Sequence, residues 1–96
     1  MFKRKIIWTV VANQELQEIL SYWIIRNHSN RYSIHLKNLI METLDLLREY
    51  PEMGRNTNQV NVRVKIIRDY LLFYQFDDFT LTILSIWDAR RNKKRE

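Results

Sequence analysis

The sequence predicts one α+β domain in which an antiparallel helical hairpin packs on a twisted antiparallel β-sheet, in the order β-α-α-β-β-β. Three observations predict this fold class. Apolar residues recur at helical spacing between residues 13 and 50, and β-branched and aromatic runs lie on either side of that region. The single Pro and the single Gly occur close together, where helical spacing gives way to alternation. With 96 residues, 46% of them hydrophobic, we expect a single domain over residues 1–96 with one modest core.

The first strand is predicted at residues 4–11, RKIIWTVV, and a helical hairpin follows it. Asn13 is expected to cap the first helix, with Glu15 in its positively polarised first turn. The second helix is expected to begin after Ser29 and to run to about Tyr50. The short link NHSN predicts that the two helices are antiparallel.

A three-stranded meander is predicted after the segment YPEMGRNTNQ. The run VNVRVKII (60–67) alternates, so Arg63 and Lys65 should project from one face about 7 Å apart. The run YLLFYQF (70–76) is typical of a central strand covered on both faces, and FTLTILSIW (79–87) is the last strand. The Arg68-Asp69 turn leaves two registers open. A two-residue turn places the basic pair with Leu72 and Tyr74, and a three-residue turn places it with Leu71 and Phe73.

The expected core draws on both helices and on the sheet. It includes Leu16, Leu20, Trp23, Leu36, Ile40, Leu47, Val64 and Phe73, and all three tryptophans (Trp8, Trp23 and Trp87) are best explained as core residues. Aromatic side chains on the sheet are therefore expected to be largely buried.

Composition narrows the possible functions. The formal charge of +5 favours an anionic partner, such as a polyanion or an acidic protein. The absence of cysteine excludes disulfides and thiolate zinc sites, and two histidines are too few for a metal cluster, so no metal or cofactor is expected. The N-terminal apolar run is too short for a signal peptide or a membrane span, so we expect a soluble, cytoplasmic protein without membrane contact.

Basic residues are the candidate site residues. Arg68, Arg90 and Arg91 are expected to gather at one end of the sheet, with Lys65 within reach, because a meander brings the end of the last strand beside the Arg68 turn. Guanidinium groups bind phosphate bidentately and remain charged. For the pair Arg63 and Lys65 alone, an ordinary solvated strand face is the more common explanation.

Four segments, in order and spacing, resemble the RelE/ParE toxins of bacterial type II toxin–antitoxin modules. They are LQEILSYW, YPEMGR, VRVKIIRDYLLFYQF and ILSIWDARRN, and the resemblance extends over essentially the whole chain. It implies a role in growth inhibition and plasmid stabilisation, and a cognate antitoxin, expected to be an acidic DNA-binding protein, as partner. Arg63, Lys65, Arg68, Arg90 and Arg91 stand at or near the family's basic positions. They are the expected target- or phosphate-binding residues.

The ParE-like branch, which poisons DNA gyrase, is the favoured assignment. The position after Tyr70, commonly arginine in the RNA-cleaving branch, is Leu71, and no Tyr or His follows Arg91. The alternative is ribosome-dependent endoribonuclease cleavage of mRNA without a metal, in which Arg63, Lys65 and Arg90 or Arg91 stabilise the scissile phosphate. A family member with a divergent target and an RNA-binding domain that is not a toxin are further alternatives. The C-terminal segment 90–96 carries five basic residues, and we call it the basic tail. It is expected to join Arg63, Lys65 and Arg68 in one surface that an acidic antitoxin segment covers.

Overall fold

The computed structural model describes residues 3–92, and the side chains of residues 3–90, as two helices packed on a five-stranded sheet. The elements are β1 (Lys5–Trp8), α1 (Val10–Asn27), α2 (Arg31–Leu47), a 3₁₀ turn (Pro51–Met53), β2 (Arg55–Asn56), β3 (Arg63–Ile67), β4 (Tyr70–Phe76), β5 (Thr80–Asp88) and α3 (Ala89–Asn92). α1 packs against α2 and β5, and α2 packs against β3. We call the sheet face under the helices the inner face and the opposite one the outer face. The predicted α+β fold is confirmed. Between residues 3 and 92, no helix is both long enough and apolar enough to cross a membrane.

The first strand is shorter than predicted because the helix begins within the predicted strand. Thr9, not Asn13, is the N-cap of α1, and its hydroxyl accepts a hydrogen bond of 3.0 Å from the Ala12 amide. Val10 and Val11 consequently belong to α1 and are exposed. Their β-branched side chains are typical of a strand, but the cap and the packing of the following residues outweigh that propensity.

The sheet has the order β1-β5-β4-β3-β2, and its first pair differs from the expected antiparallel arrangement. β1 runs parallel to β5, with Lys5 opposite Thr80 and Trp8 opposite Ile83, whereas the other pairs are antiparallel. A pattern of apolar residues carries no information about strand direction. The two-residue strand β2 was not predicted, because RN is too short to give a periodic signal.

The core lies between the helices and the inner face. The buried hydrophobic residues are Ala12, Leu16, Leu36, Ile40, Leu44, Leu47, Ile67, Tyr70, Leu72, Tyr74, Leu81, Ile83 and Ile86. Four predicted core residues are among them, and Leu20, Trp23 and Trp8 pack against them while partly buried. The helical part of the predicted core is therefore confirmed.

The predicted core is wrong for the sheet residues Val64 and Phe73. A two-residue turn at Arg68-Asp69, with Arg68 at a φ of 55°, pairs Ile67 with Tyr70 and Arg63 with Tyr74. Because side chains alternate along a strand, this register turns Val64 and Phe73 to the outer face, where both are half-buried. Trp87, also expected in the core, is 45% exposed.

A β-bulge interrupts β5 where it passes between β4 and α1. The pairing shifts between Phe73, opposite Ser85, and Tyr74, opposite Ile83. Glu15 on α1 accepts hydrogen bonds from the Ser85 hydroxyl at 2.7 Å and from the Ile86 amide at 2.9 Å. Since the helix begins earlier than predicted, Glu15 lies beyond its first turn and binds the bulge instead of the helix terminus.

Candidate target-binding surface

The structure separates the predicted basic residues into two groups at opposite ends of β3. Arg63 lies opposite Tyr74, whereas Arg68 follows Ile67 at the β3–β4 turn. Arg63 and Lys65 share the inner face with Tyr74 and Leu72, and both are half-buried. The expected continuous surface from Arg63 to the C-terminal residues is therefore not formed by the described residues.

Arg63 binds backbone carbonyl groups of the same chain. Its Nη1 atom donates to the carbonyl oxygen of Gly54 at 2.7 Å and to that of Glu52 at 3.3 Å. The Tyr74 hydroxyl lies in the same region, where it donates to the Pro51 carbonyl and accepts from the Gly54 amide at 3.0 Å. These contacts fasten the 3₁₀ turn to the sheet, so the Arg63 guanidinium has a structural role here.

Arg68 and Arg90 come together at the other end, and we call this pair with its partners Asp69 and Asp88 the basic corner. The pairing of Tyr70 with Asp88 places the end of β5 beside the β3–β4 turn, as the meander predicted. The Ala89 amide donates to the Asp69 carbonyl oxygen at 2.8 Å, which fixes the start of α3 against the turn. Arg91 lies in α3, but its side chain is outside the described region, as are residues 93–96 of the basic tail.

The Arg90 guanidinium is oriented by carboxylates on two elements. Its Nε atom lies 3.3 Å from Asp88 Oδ1, and its Nη1 atom lies 3.8 Å from Asp69 Oδ2. The hydrogen bond to Asp88 raises the pKa of Arg90, so this side chain carries its full charge at neutral pH. The guanidinium carbon lies 6.0 Å from the centre of the Trp23 ring. These partners orient the Arg90 guanidinium at the surface.

Aromatic residues of both helices and of β4 pack next to the basic corner. Trp23 Nε1 donates to the Tyr70 hydroxyl at 2.7 Å, and the Trp23 ring makes an edge contact with Tyr32, at 4.8 Å between centroids. Burial raises the pKa of Tyr70, so its hydroxyl stays protonated at neutral pH. This packing connects both helices to the start of β4, which pairs with the end of β5.

His35 on α2 lies beside the basic corner. Arg68 Nη2 lies 3.0 Å from His35 Nε2 on α2. A guanidinium only donates, so the imidazole nitrogen accepts. Within residues 3–92, no group of three or more His, Asp or Glu side chains is arranged to hold a metal ion.

The outer face carries an apolar surface that the sequence analysis did not anticipate. We call it the outer patch; it consists of Val62, Val64, Ile66, Leu71, Phe73, Leu84 and Trp87. The rings of Phe73 and Trp87 are 4.7 Å apart, and a cavity of about 340 Å³ opens beside them. The signal was present in β4: a strand apolar on both faces needs a cover on both, and the two helices supply only one.

Comparisons with known proteins agree with the fold. The sequence model of the family described as "ParE toxin of type II toxin-antitoxin system, parDE" matches residues 6–93. A solved structure described as "Chromosomal ParDE TA system from P. aeruginosa" has a similar fold, with a TM-score of 0.76 and 16% sequence identity over 91% of this chain and 97% of that chain. A search of curated proteins found no match. Since the family match extends over nearly the whole domain, the chain belongs to the ParE toxin family of type II toxin–antitoxin systems.

Proposed function

We propose that this protein is a toxin that arrests growth by inhibiting DNA gyrase and that a cognate, acidic antitoxin neutralises it. The observation that carries the proposal is the ParE family match over residues 6–93. The formal charge of +5 supports it, because a net positive charge favours an anionic partner surface. The target is bound and its activity is blocked, without a chemical step carried out by this chain.

The positions of the basic residues favour this mode over RNA cleavage. Stabilising a scissile phosphate requires several cations directed at one point. Arg63 is instead bonded to the carbonyls of Glu52 and Gly54, at the end of β3 remote from Arg68. Leu71 lies on the outer face, between Ile66 and Trp87.

Ribosome-dependent mRNA cleavage is the second candidate, and one contact favours it. His35 and Arg68 bring an imidazole and a guanidinium within 3.0 Å of each other. When Arg68 turns to a phosphate, the acceptor nitrogen of His35 is released and can take the proton of an attacking 2′-hydroxyl while the guanidinium neutralises the phosphate. In this candidate the site is at the β3–β4 turn.

Expression in bacterial cells distinguishes the two candidates. Induction should arrest growth, and a reporter plasmid isolated from arrested cells should lose negative supercoiling while messenger RNA on ribosomes stays intact. A His35→Ala variant should arrest growth as strongly as the wild type. Cuts at fixed codon positions in ribosome-bound messenger, lost in His35→Ala and accompanied by normal plasmid supercoiling, would reverse the ranking.

A further inference from the structure

The outer patch is an uncovered apolar surface on an otherwise well-packed domain. Within residues 3–92 both long helices lie on the inner face, and Ile66 and Trp87 on the outer face are 51% and 45% exposed. Contiguous apolar surface of this kind marks interaction sites in soluble proteins. Polar side chains at these outer positions would leave the inner core unchanged, so packing does not explain why the positions are apolar. Contact with a partner would explain it.

The cavity in this patch is formed by ordered structure. Its lining residues are Thr57, Asn58, Gln59, Val62, Phe73, Leu84, Ser85 and Trp87, which combine an apolar floor with a polar rim. The rim is held by its own hydrogen bonds: the Thr57 hydroxyl donates to the Val62 carbonyl at 2.9 Å, and the Val62 amide donates to the Gln59 carbonyl at 3.3 Å. A cavity of about 340 Å³ beside an exposed tryptophan has room for a large side chain of a partner protein.

The charges on the outer face indicate which kind of partner binds the outer patch. Lys5 on β1, opposite Thr80, and Arg55 on β2, opposite Val64, lie on the outer face, and the five described strands place no Asp or Glu there. Two separated cations are few for a nucleic acid backbone, which needs a basic groove along its path. A second copy of this chain would bring two molecules of formal charge +5 together. An acidic polypeptide segment with a large apolar side chain matches the cavity and the basic edge that Arg55 forms beside Val64.

We propose that the outer patch is the docking surface for the protein target of this toxin, with Trp87 as its anchor. The occupant is an acidic segment of the target that inserts an aliphatic or aromatic side chain into the cavity beside Trp87 and Phe73. This inference rests on the proposed function, because it takes DNA gyrase as the target.

Purified gyrase is the probe, and single substitutions at exposed positions are the variants. Trp87→Lys and Ile66→Lys alter the outer patch, whereas Ile25→Lys introduces the same charge at a 72% exposed position on α1. Binding is measured by biolayer interferometry and inhibition by a supercoiling assay, after thermal unfolding has verified that each variant is folded. Trp87→Lys should weaken both by about tenfold or more, as expected for removal of an interface anchor, while Ile25→Lys stays within about twofold of the wild type.

Each outcome decides between the proposals. If the wild type inhibits gyrase and a folded Trp87→Lys variant does so equally well, the docking proposal is wrong and the proposed function stands. If Trp87→Lys does not fold, Ile66→Lys decides in the same way. Absence of inhibition by the wild type overturns both. Binding of a single-stranded oligonucleotide that is lost in Trp87→Lys, without an effect on gyrase, would assign the outer patch to nucleic acid.

Discussion

Tyr74 carries the most constrained hydroxyl in the described chain. Its side chain is fully buried, donates to the Pro51 carbonyl and accepts from the Gly54 amide, and a Cβ at Gly54 would overlap its oxygen. Tyr74→Phe leaves a buried carbonyl and amide without partners, so it should lower the free energy of unfolding by about 1–3 kcal/mol. Urea denaturation measures this loss. Tyr50→Phe removes a hydroxyl from a 60% exposed side chain and should change stability little; equal effects would show that the Tyr74 contacts add no stability.

Burial of two tyrosines predicts how stability responds to alkaline pH. Desolvation raises the pKa of Tyr70 and of Tyr74 in the folded protein. The unfolded chain therefore loses these protons first, near pH 10 or so, and the stabilisation is lost as pH rises through the folded-state values. Melting temperatures measured from about pH 8 to about pH 11 should fall more steeply for the wild type than for a Tyr70→Phe/Tyr74→Phe variant. Parallel curves would contradict this account.

The role of Arg63 could not be read from its residue type. Spacing along β3 predicted that Arg63 and Lys65 share a face, and they do. Whether that face meets solvent, ligand or the 3₁₀ turn depends on the β3–β4 register and on the path of residues 51–62. Both are tertiary properties, and neither leaves a local pattern in the sequence.

At the scale of elements, Glu15 connects α1 to the irregular part of β5. The pairing of β4 with β5 shifts just before Ser85, and the Glu15 carboxylate accepts from the Ser85 hydroxyl and from the Ile86 amide. Glu15→Ala should lower the free energy of unfolding by about 1–3 kcal/mol, since an amide and a hydroxyl lose a charged acceptor. Thermal unfolding measures the change. Glu18→Ala, an exposed position on the same helix, is the matched control; a loss as large as that of Glu15→Ala would assign the effect to helix charge instead of the bulge.

The helices were predictable and the sheet was predictable only in part. Positions such as Leu36, Ile40 and Leu47 recur at a spacing that only a helix uses, so one buried face follows directly. The two faces of β4 are both apolar, and nothing local distinguishes the one that meets the helices. Val64 and Phe73 were therefore expected in the core, although a two-residue turn places them on the outer face.

The candidate surface followed the same rule. The meander correctly brought Arg68 and Arg90 to one end of the sheet, because hairpin connections fix which strand ends adjoin. Trp87 was expected in the core because tryptophan is usually buried. It is exposed because both helices pack on the inner face and leave the outer face uncovered. The sequence does contain a signal for this exposure: it predicts a sheet with two apolar faces and only two helices, which can cover one of them.

At the scale of the whole molecule, the formal charge of +5 predicts a salt-dependent encounter with an anionic partner. The Arg90 side chain is exposed and its ion pairs with Asp88 and Asp69 lie at the surface, so Arg90→Ala/Arg91→Ala should remain folded, and we expect it to lose toxicity on expression. Neutralising residues 93–95 should have a smaller effect, as expected for solvated charges beyond the last strand. Growth arrest is the readout, with thermal unfolding as the folding control. Full toxicity of the double arginine variant would show that the basic tail does not bind the target and only adds to solubility.

The central claim is that this ParE-family domain arrests growth by binding gyrase, and the most direct measurement is supercoiling of a relaxed plasmid by purified gyrase as this protein is added. We predict progressive loss of supercoiling or accumulation of cleaved DNA, and a weaker effect when salt is added. Undiminished supercoiling at a large molar excess of folded protein, together with cleavage of ribosome-bound messenger by the same preparation, would contradict the account.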